Sequence, residues 1–129
     1  MNTELVLCDT NILIAALRGD FKTIEILTQK ITQQNIVIST ITYMELCRGS
    51  LNKTHLNKLT KELKGYNILH IDESISIKAM ELIKDYHLSH NLQIPDAIIA
   101  AASLEYKLPI FTFNLKDFKY IKGIKLFKP

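Results

Sequence analysis

Short runs of consecutive apolar residues recur along the chain and are separated by longer stretches of mixed polarity. A run of this length is typical of a strand that is buried on both faces of a sheet. The sequence therefore predicts four strands and a short fifth strand at an edge, at residues 5–8, 35–39, 67–71, 109–112 and 124–127.

Between these runs, apolar residues recur at spacings of three and four, which is the pattern of a helix that buries one face. The longest such helix is predicted over residues 74–88, and Pro95 suits the first position of another. Shorter helices are predicted at about 12–18, 21–31, 41–48 and 52–64. Strands that alternate with helices predict an α/β fold, in which helices flank a mainly parallel sheet of four or five strands.

The length of 129 residues and an ordinary composition, 47% hydrophobic and 22% charged, suit a single domain over residues 1–129. Its four glycines are scattered, which excludes the clustered glycines of a P-loop or a dinucleotide-binding loop. Two cysteines cannot build a disulfide framework. The longest apolar runs have six residues, far below the roughly 18 that a membrane span needs. We therefore expect a cytoplasmic protein without a membrane segment.

Positive charge gathers towards the end of the sequence, although the formal net charge is only +3. Residues 107–129 hold six lysines against one acid, Asp117. Such a stretch suits a polyanionic partner. The candidates for contacting an RNA backbone are Lys116, Lys119 and Lys122. Solvated faces in a lysine-rich chain are the alternative, which charge alone leaves open.

Carboxylate and amide side chains follow three of the predicted strands. Asp9 follows the first strand, Glu45 lies in the first turns of the helix after the second, and Asn114 and Asp117 follow the fourth. The carboxyl ends of parallel strands share one edge, so these groups should meet, and Asp96 joins them if its helix starts there. Clustered carboxylates repel one another unless a cation compensates, and an all-oxygen set suits Mg²⁺ or Mn²⁺. The chemistry indicated is metal-assisted hydrolysis of a phosphodiester.

Each of these side chains also has a structural explanation. Asp9 could cap the helix that follows it, and Glu45 could complete a capping box with Thr42. Asp96 could serve only the dipole of its helix. The polar residues after the fourth strand could shape a turn. Taken singly, the residues leave both interpretations open.

Four segments of the sequence resemble, in order and spacing, the acidic motifs of the PIN-domain ribonucleases. The segments are Leu7-Cys8-Asp9-Thr10-Asn11-Ile12-Leu13-Ile14, Thr40-x-Thr42-Tyr43-x-Glu45-Leu46-x-x-Gly49, Ile94-Pro95-Asp96-Ala97-x-Ile99-Ala100-Ala101 and Thr112-Phe113-Asn114-x-x-Asp117-Phe118. The resemblance spans residues 5 to about 127. In length and in the absence of further domains, the chain also resembles the VapC toxins of bacterial toxin–antitoxin pairs.

The resemblance implies a three-layer PIN fold and a Mg²⁺-dependent endoribonuclease. It further implies a homodimer that forms a hetero-oligomer with a VapB antitoxin, whose C-terminal tail covers the active site. Carried over by position, Asp9, Glu45 and Asp96 are the core acids and the metal ligands, with Asp9 and Asp96 the most direct. The residues that would support the shape of the site are Thr10, Asn11 and Thr112.

The fourth motif departs from the family pattern, because Asn114 stands where many relatives carry aspartate. An amide adds no charge, so the fourth position stays open between Asn114 and Asp117. The alternative function is a weak or inactive PIN-like module that binds RNA or a protein partner. Three acids in register argue against that alternative. A phospho-receiver domain of similar length is excluded, because no acidic pair follows the first strand.

Overall fold

Strands and helices alternate along residues 4–129, the part of the chain that the computed structural model describes. The elements are β1 (Val6–Cys8), α1 (Thr10–Leu17), α2 (Phe21–Glu25), β2 (Ile36–Ser39), α3 (Thr40–Arg48), α4 (Lys53–Leu63), β3 (Asn67–Leu69), α5 (Glu73–His90), α6 (Ile94–Tyr106) and β4 (Ile110–Phe111). A π-helical segment, Ile26–Ile31, continues α2, and short 3₁₀ turns lie at Gln33–Asn35 and Leu115–Asp117. Across the described residues, no helix combines the length and the apolar character that a membrane crossing requires.

The four strands form one parallel sheet in the order β3-β2-β1-β4. This confirms the predicted α/β class and the parallel sheet. The predicted fifth strand is reduced to a parallel bridge between Ile110 and Leu126. Two backbone hydrogen bonds hold it: Ile110 N donates to Lys125 O at 2.9 Å, and Phe127 N donates to Ile110 O at 2.8 Å. The segment therefore covers the edge of β4 without extending the ladder.

Successive strand residues point to opposite faces of the sheet, so the strands divide their side chains between two cores. The core shared with α5 and α6 receives Leu7, Val37 and Ile110. The core shared with α1, the π-helical segment, α3 and α4 receives Val6, Cys8, Ile36, Ile38 and Phe111. Burial on both faces explains why the strands read as unbroken apolar runs. Helix, sheet and helix make the three layers that the resemblance implies.

Two helices begin immediately where their strands end. Asp9 caps α1 directly after β1, and Ser39, the last residue of β2, caps α3 by accepting a hydrogen bond from Ile41 N at 3.2 Å. These side chains satisfy backbone donors that a helix start leaves unpaired. Because no loop intervenes, the first turns of α1 and α3 lie at the carboxyl edge of the sheet.

The antiparallel pair α5 and α6 brings a further helix start to the same edge. The small residues of α6 (Ala100, Ala101 and Ala102) are fully buried against this core. Asp72 caps α5 and also accepts a hydrogen bond from the Tyr106 hydroxyl, which joins the start of α5 to the end of α6. Since α6 leads into the amino end of β4, its own first turn, with Asp96, lies at the carboxyl edge.

Candidate active site

Asp9 is held firmly at the end of β1 and is only 7% exposed. One carboxylate oxygen, Oδ1, accepts a hydrogen bond from Thr10 N at 2.8 Å. The other, Oδ2, accepts one from the Thr112 hydroxyl, also at 2.8 Å, across the β1–β4 junction. The capping explanation therefore accounts for one oxygen, while the second is oriented by a residue that lies 103 positions further along the chain.

Burial and neighbouring negative charges raise the pKa values of two carboxyl groups at this edge, Asp9 and Asp96. Burial is the main reason that the pKa of Asp9 lies above its ordinary value, and the negative charges of Glu45 and Asp117 add to it. The hydrogen bonds from Thr112 and Thr10 act in the opposite direction by favouring the carboxylate. Burial, followed by the charges of Asp9, Asp117 and Glu45, raises the pKa of Asp96 to about 6. The four acids predicted from the sequence thus belong to one electrostatic cluster.

Glu45 is fixed by a chain of hydroxyl groups. The Thr10 hydroxyl donates to Glu45 Oε1 at 2.7 Å, and the oxygens of the Thr10 and Thr42 hydroxyls lie 3.0 Å apart. A hydroxyl carries one proton and a carboxylate only accepts, so Thr10 donates to Glu45 and accepts from Thr42. The capping-box interpretation is wrong, because Ser39 is the cap and Thr42 is fully buried inside α3.

The residues after β4 form a tight turn beside Asp9. Thr112 donates to Asp9 and accepts a hydrogen bond from Asn114 N at 3.0 Å. Asn114 is exposed and its side chain caps nothing, although it precedes the 3₁₀ turn Leu115–Asp117. Asp117 is half-buried, and its charge contributes to the raised pKa values of Asp9 and Asp96. Both candidates for the fourth position therefore lie in this turn, and Asp117 is electrostatically part of the cluster.

No cationic side chain of the described residues forms an ion pair with these acids. The one ion pair within residues 4–129 joins Lys78 to Glu81 and involves none of them. Nor, over that range, do three acidic, histidine or cysteine side chains approach closely enough to enclose an ion by themselves. Mg²⁺ does not need such a cage, because it usually keeps several waters and binds through one or two carboxylates. The donor chemistry fits a hydrated Mg²⁺ or Mn²⁺ that Asp9 and Asp96 could hold, with Glu45 and Asp117 nearby.

Asn11 lies two residues after Asp9 in the sequence and carries an unpaired polar atom. Its side-chain oxygen Oδ1 is buried and has no hydrogen-bond partner among the described residues. A buried orphan acceptor is rare in folded proteins and calls for a water or a ligand as its partner. That Asn11 supports the site stays a prediction.

Two more features complete the surroundings of the acids. Tyr120 lies near enough to Asp96 and Asp117 that their charges, after burial, raise the pKa of its phenol. No signal in the sequence singled out this tyrosine. The side chains of the three predicted RNA contacts are all exposed, and they belong to Lys116, Lys119 and Lys122.

Comparisons with known proteins agree with the fold and the motifs. The family model described as "PIN domain" matches residues 6–124. Ribonuclease VapC10 of Mycobacterium tuberculosis is 25% identical over 122 residues, which is 94% of this chain and 91% of that protein.

Two solved structures match this chain over most of its length. A toxin–antitoxin complex from Klebsiella pneumoniae is 31% identical with a TM-score of 0.77, and the match covers 92% of this chain and 94% of that one. VapBC2 from Rickettsia felis, bound to a DNA fragment from their promoter, is 25% identical with a TM-score of 0.81, and covers 95% and 97%. The resemblance drawn from the four motifs is confirmed, and this chain belongs to the PIN-domain family.

Proposed function

We propose that this chain is a Mg²⁺-dependent endoribonuclease, and that it is the toxin of a VapBC-type toxin–antitoxin pair. One observation carries the proposal: the carboxyl groups of Asp9, Glu45, Asp96 and Asp117 gather at one edge of the sheet, and no cationic side chain of residues 4–129 forms an ion pair with them. Such a cluster is costly unless a cation joins it. The similarity to a protein named Ribonuclease VapC10 supports RNA as the substrate.

Hydrogen bonds at the carboxyl edge of the sheet orient the carboxylates that phosphodiester hydrolysis would use. Mg²⁺, when bound, activates a water and stabilises the charge of the phosphoryl group. Asp9 is presented by its two hydrogen bonds, and Glu45 by the Thr10 hydroxyl, so neither must reorient to act as a ligand. In the reaction, the water oxygen bonds to phosphorus, the bond to the leaving ribose oxygen breaks, and a proton of the water passes to that oxygen. Mn²⁺ suits the same ligands.

Cleavage of a mixed pool of labelled RNA tests the proposal directly. Fragments should appear with Mg²⁺ or Mn²⁺ and not after chelation. RNA binding without cleavage at any metal concentration would favour the alternative of an inactive PIN-like module.

Metal binding should also stabilise the fold, because Mg²⁺ binds the folded cluster and hardly binds the unfolded chain. At 100 times its dissociation constant the gain is about 2.7 kcal/mol, or roughly 8 °C for a domain of this size. Thermal unfolding with increasing Mg²⁺ measures it, and Asp9→Asn should remove the shift. A melting temperature that does not change with millimolar Mg²⁺ would count against the proposed metal site.

The antitoxin partner is the second half of the proposal. An apolar depression of about 220 Å³ leads away from Glu45 between α1, α3 and α4, and Ile14, Leu17 and Leu59 line it. Two of these, Ile14 and Leu17, are more than a third exposed. The solved relatives are toxin–antitoxin complexes, which supports a VapB-like segment here. Co-expression with the adjacent reading frame should yield a complex in which cleavage is suppressed.

A homodimer is the oligomeric state that we propose for the toxin itself. Its support in the structure is an apolar surface on α5 and α6, where Met80 is 66% and Ile94 is 68% exposed. Light scattering of the isolated chain measures the mass directly, and a monomer at all concentrations would overturn this part.

The fourth ligand position gives a prediction that separates two neighbouring residues. Asn114→Asp should tighten Mg²⁺ binding through Coulomb attraction, by ~1 kcal/mol where water is partly excluded. Asn114→Ala should reduce cleavage less than Asp9→Asn does. If instead Asp117→Asn is inactive while Asn114→Ala behaves as wild type, Asp117 fills the position. Cleavage measured against Mg²⁺ concentration for the three variants decides.

The exposed lysines after the fourth motif are expected to contact RNA phosphates. The variant replaces three residues together by glutamine: Lys116, Lys119 and Lys122. Affinity should fall similarly for many RNAs, and the slope of log affinity against log salt should flatten by about 2. The matched control replaces three lysines near the amino end of β4, on the opposite edge of the sheet: Lys107, Lys125 and Lys128. Equal losses of RNA affinity in both variants would indicate that RNA responds only to the overall positive charge of the protein.

A further inference from the structure

A shallow depression of about 450 Å³ lies between the turn after β4 and the end of α1. Phe113 forms one wall, and the end of α1 with the following turn forms the other, through Ala15, Arg18, Gly19 and Asp20. Phe113 follows Thr112, whose hydroxyl holds Asp9. The depression is linked to the acidic cluster at both walls, because Phe113 adjoins Thr112 in the chain and Arg18 also lines the depression that contains Glu45.

The Phe113 ring is exposed although the two residues before it are buried. Phe113 is 53% exposed, whereas Phe111 is 3% exposed and Thr112 6%. The two aromatic rings meet edge to face, with centroids 6.3 Å apart at 75°. Phe111 thereby supports the Phe113 ring from the core side, and the outer part of the ring remains open to solvent. A single exposed apolar residue is ordinary. The groups around the Phe113 ring therefore decide whether it is a binding surface.

Those surroundings include an unpaired cation. The side chain of Arg18 is exposed, and the described residues offer it no ion pair. A guanidinium group is planar and matches a phosphate with two parallel hydrogen bonds. The acid across from it, Asp20, is already engaged, because its Oδ2 accepts hydrogen bonds from Thr23 N at 3.1 Å and from the Thr23 hydroxyl at 2.5 Å.

A glycine lines the depression at the end of α1. Gly19 has φ +88°, a left-handed conformation that ends α1 and that glycine adopts without strain. An added Cβ at Gly19 would meet no atom within 4 Å. The end of α1 therefore leaves open space at Gly19, which lines the same depression as Phe113.

We propose that Phe113 and Arg18 form a nucleotide subsite, in which a base flanking the scissile phosphate stacks on the Phe113 ring while Arg18 binds a phosphate of the same strand. This inference rests on the proposed function and names the contacts that position its substrate. Single-stranded RNA is recognised in this way by other proteins, through aromatic stacking combined with basic groups. The ligand is a single strand, since a base inside a duplex has no free face.

The subsite acts on binding and positioning, and the acids carry the chemistry. Stacking accepts every base, because each has a π-face, and a phosphate contact reads no sequence. Loss of either residue should therefore raise KM for many RNAs more than it lowers kcat. The effect should depend on a nucleotide at one fixed distance from the cleaved bond.

Fluorescence of 2-aminopurine tests the stacking without requiring cleavage. Short single-stranded RNAs, each with one 2-aminopurine at a different position, are titrated with the Asp9→Asn protein. Quenching should peak at one position beside the cleavage site. Phe113→Leu should abolish that quenching and weaken binding roughly 5- to 150-fold, the range for the loss of one base–aromatic stack. Phe113→Trp should restore both.

Matched controls exist for both residues. Phe21 is 76% exposed but does not line the depression, so Phe21→Leu should change neither quenching nor affinity. Arg18→Gln should weaken binding and flatten the salt dependence by about one phosphate contact, with quenching retained at saturation. Arg48→Gln, the other arginine of the chain, should leave the slope unchanged.

The outcomes separate this inference from the proposed function. Position-dependent quenching that survives Phe113→Leu, or an equal loss in Phe21→Leu, overturns the subsite even if the wild type cleaves RNA. If the wild type does not cleave RNA but quenching still depends on Phe113, the proposed nuclease function is wrong and the nucleotide subsite stands. If Phe113→Leu weakens only the antitoxin complex, the depression binds protein and the inference is wrong.

Discussion

Replacing Asp96 by asparagine is expected to abolish RNA cleavage and to leave the fold intact. Asp96 lies in the first turn of α6, half-buried and within the field of Asp9, Asp117 and Glu45. In the proposed function Asp96 is a direct metal ligand, so its removal should cost more than the roughly 100-fold that removal of an outer-shell partner costs. Asp9→Asn should behave in the same way. Cleavage rates at saturating Mg²⁺, measured on protein with an unchanged circular dichroism spectrum, give the comparison.

Stability without metal should move in the opposite direction to activity. The Asp96→Asn variant loses a negative charge from a crowded and partly desolvated place, so its melting temperature in chelator should hold or rise. Asp85→Asn serves as the matched control, because Asp85 is an exposed acid of α5 outside the cluster. Full cleavage by Asp96→Asn, or a large fall in its melting temperature, would contradict the assignment.

The second large effect is expected at Phe118, the residue after Asp117. Phe118 is 0% exposed and is among the largest fully buried side chains of the described residues. It anchors the turn after β4, because Phe118 N donates to Leu115 O and Phe118 O accepts from Ile121 N. Phe118→Ala should lower the free energy of unfolding by about 3–5 kcal/mol, the usual cost of such a cavity. Denaturant titration measures the loss.

The same substitution at an exposed phenylalanine calibrates this result. Phe113→Ala removes a ring that is 53% exposed, so its cost in stability should be far smaller. Similar losses in the two variants would mean that Phe118 is not the anchor of the turn. A loss confined to Phe118→Ala would show that the segment bearing Asp117 depends on packing from beneath.

The strands were predictable because burial on both faces imposes a composition that the sequence displays directly. Leu7 and Val37, for example, are 0% and 5% exposed, and each lies in a continuous apolar run. The fifth strand was less predictable. The composition of residues 124–127 does not reveal that, of these residues, only Leu126 forms a bridge to β4. The π-helical turn Ile26–Ile31 also escaped prediction, since its apolar residues have ordinary helical spacing.

The location of the acidic site follows from topology, but its internal contacts do not. Parallel strands carry their carboxyl ends to one edge, so the meeting of Asp9 with Glu45 was predictable. That Thr10 donates to Glu45 depends on side-chain placement across 35 residues, which no local pattern encodes. Thr42 was misinterpreted as a cap for the same reason, because a sequence does not show that Ser39 already fills that position.

The hydrogen bond between Thr112 and Asp9 has a consequence for the synthesis of the protein. Its two ends are 103 residues apart, so at ordinary translation rates Asp9 is made roughly 5–20 s before its partner. β1 also lies between β2 and β4 in the sheet, so its second neighbour comes late. A growing chain therefore carries an incomplete acidic site until nearly the whole domain has been translated.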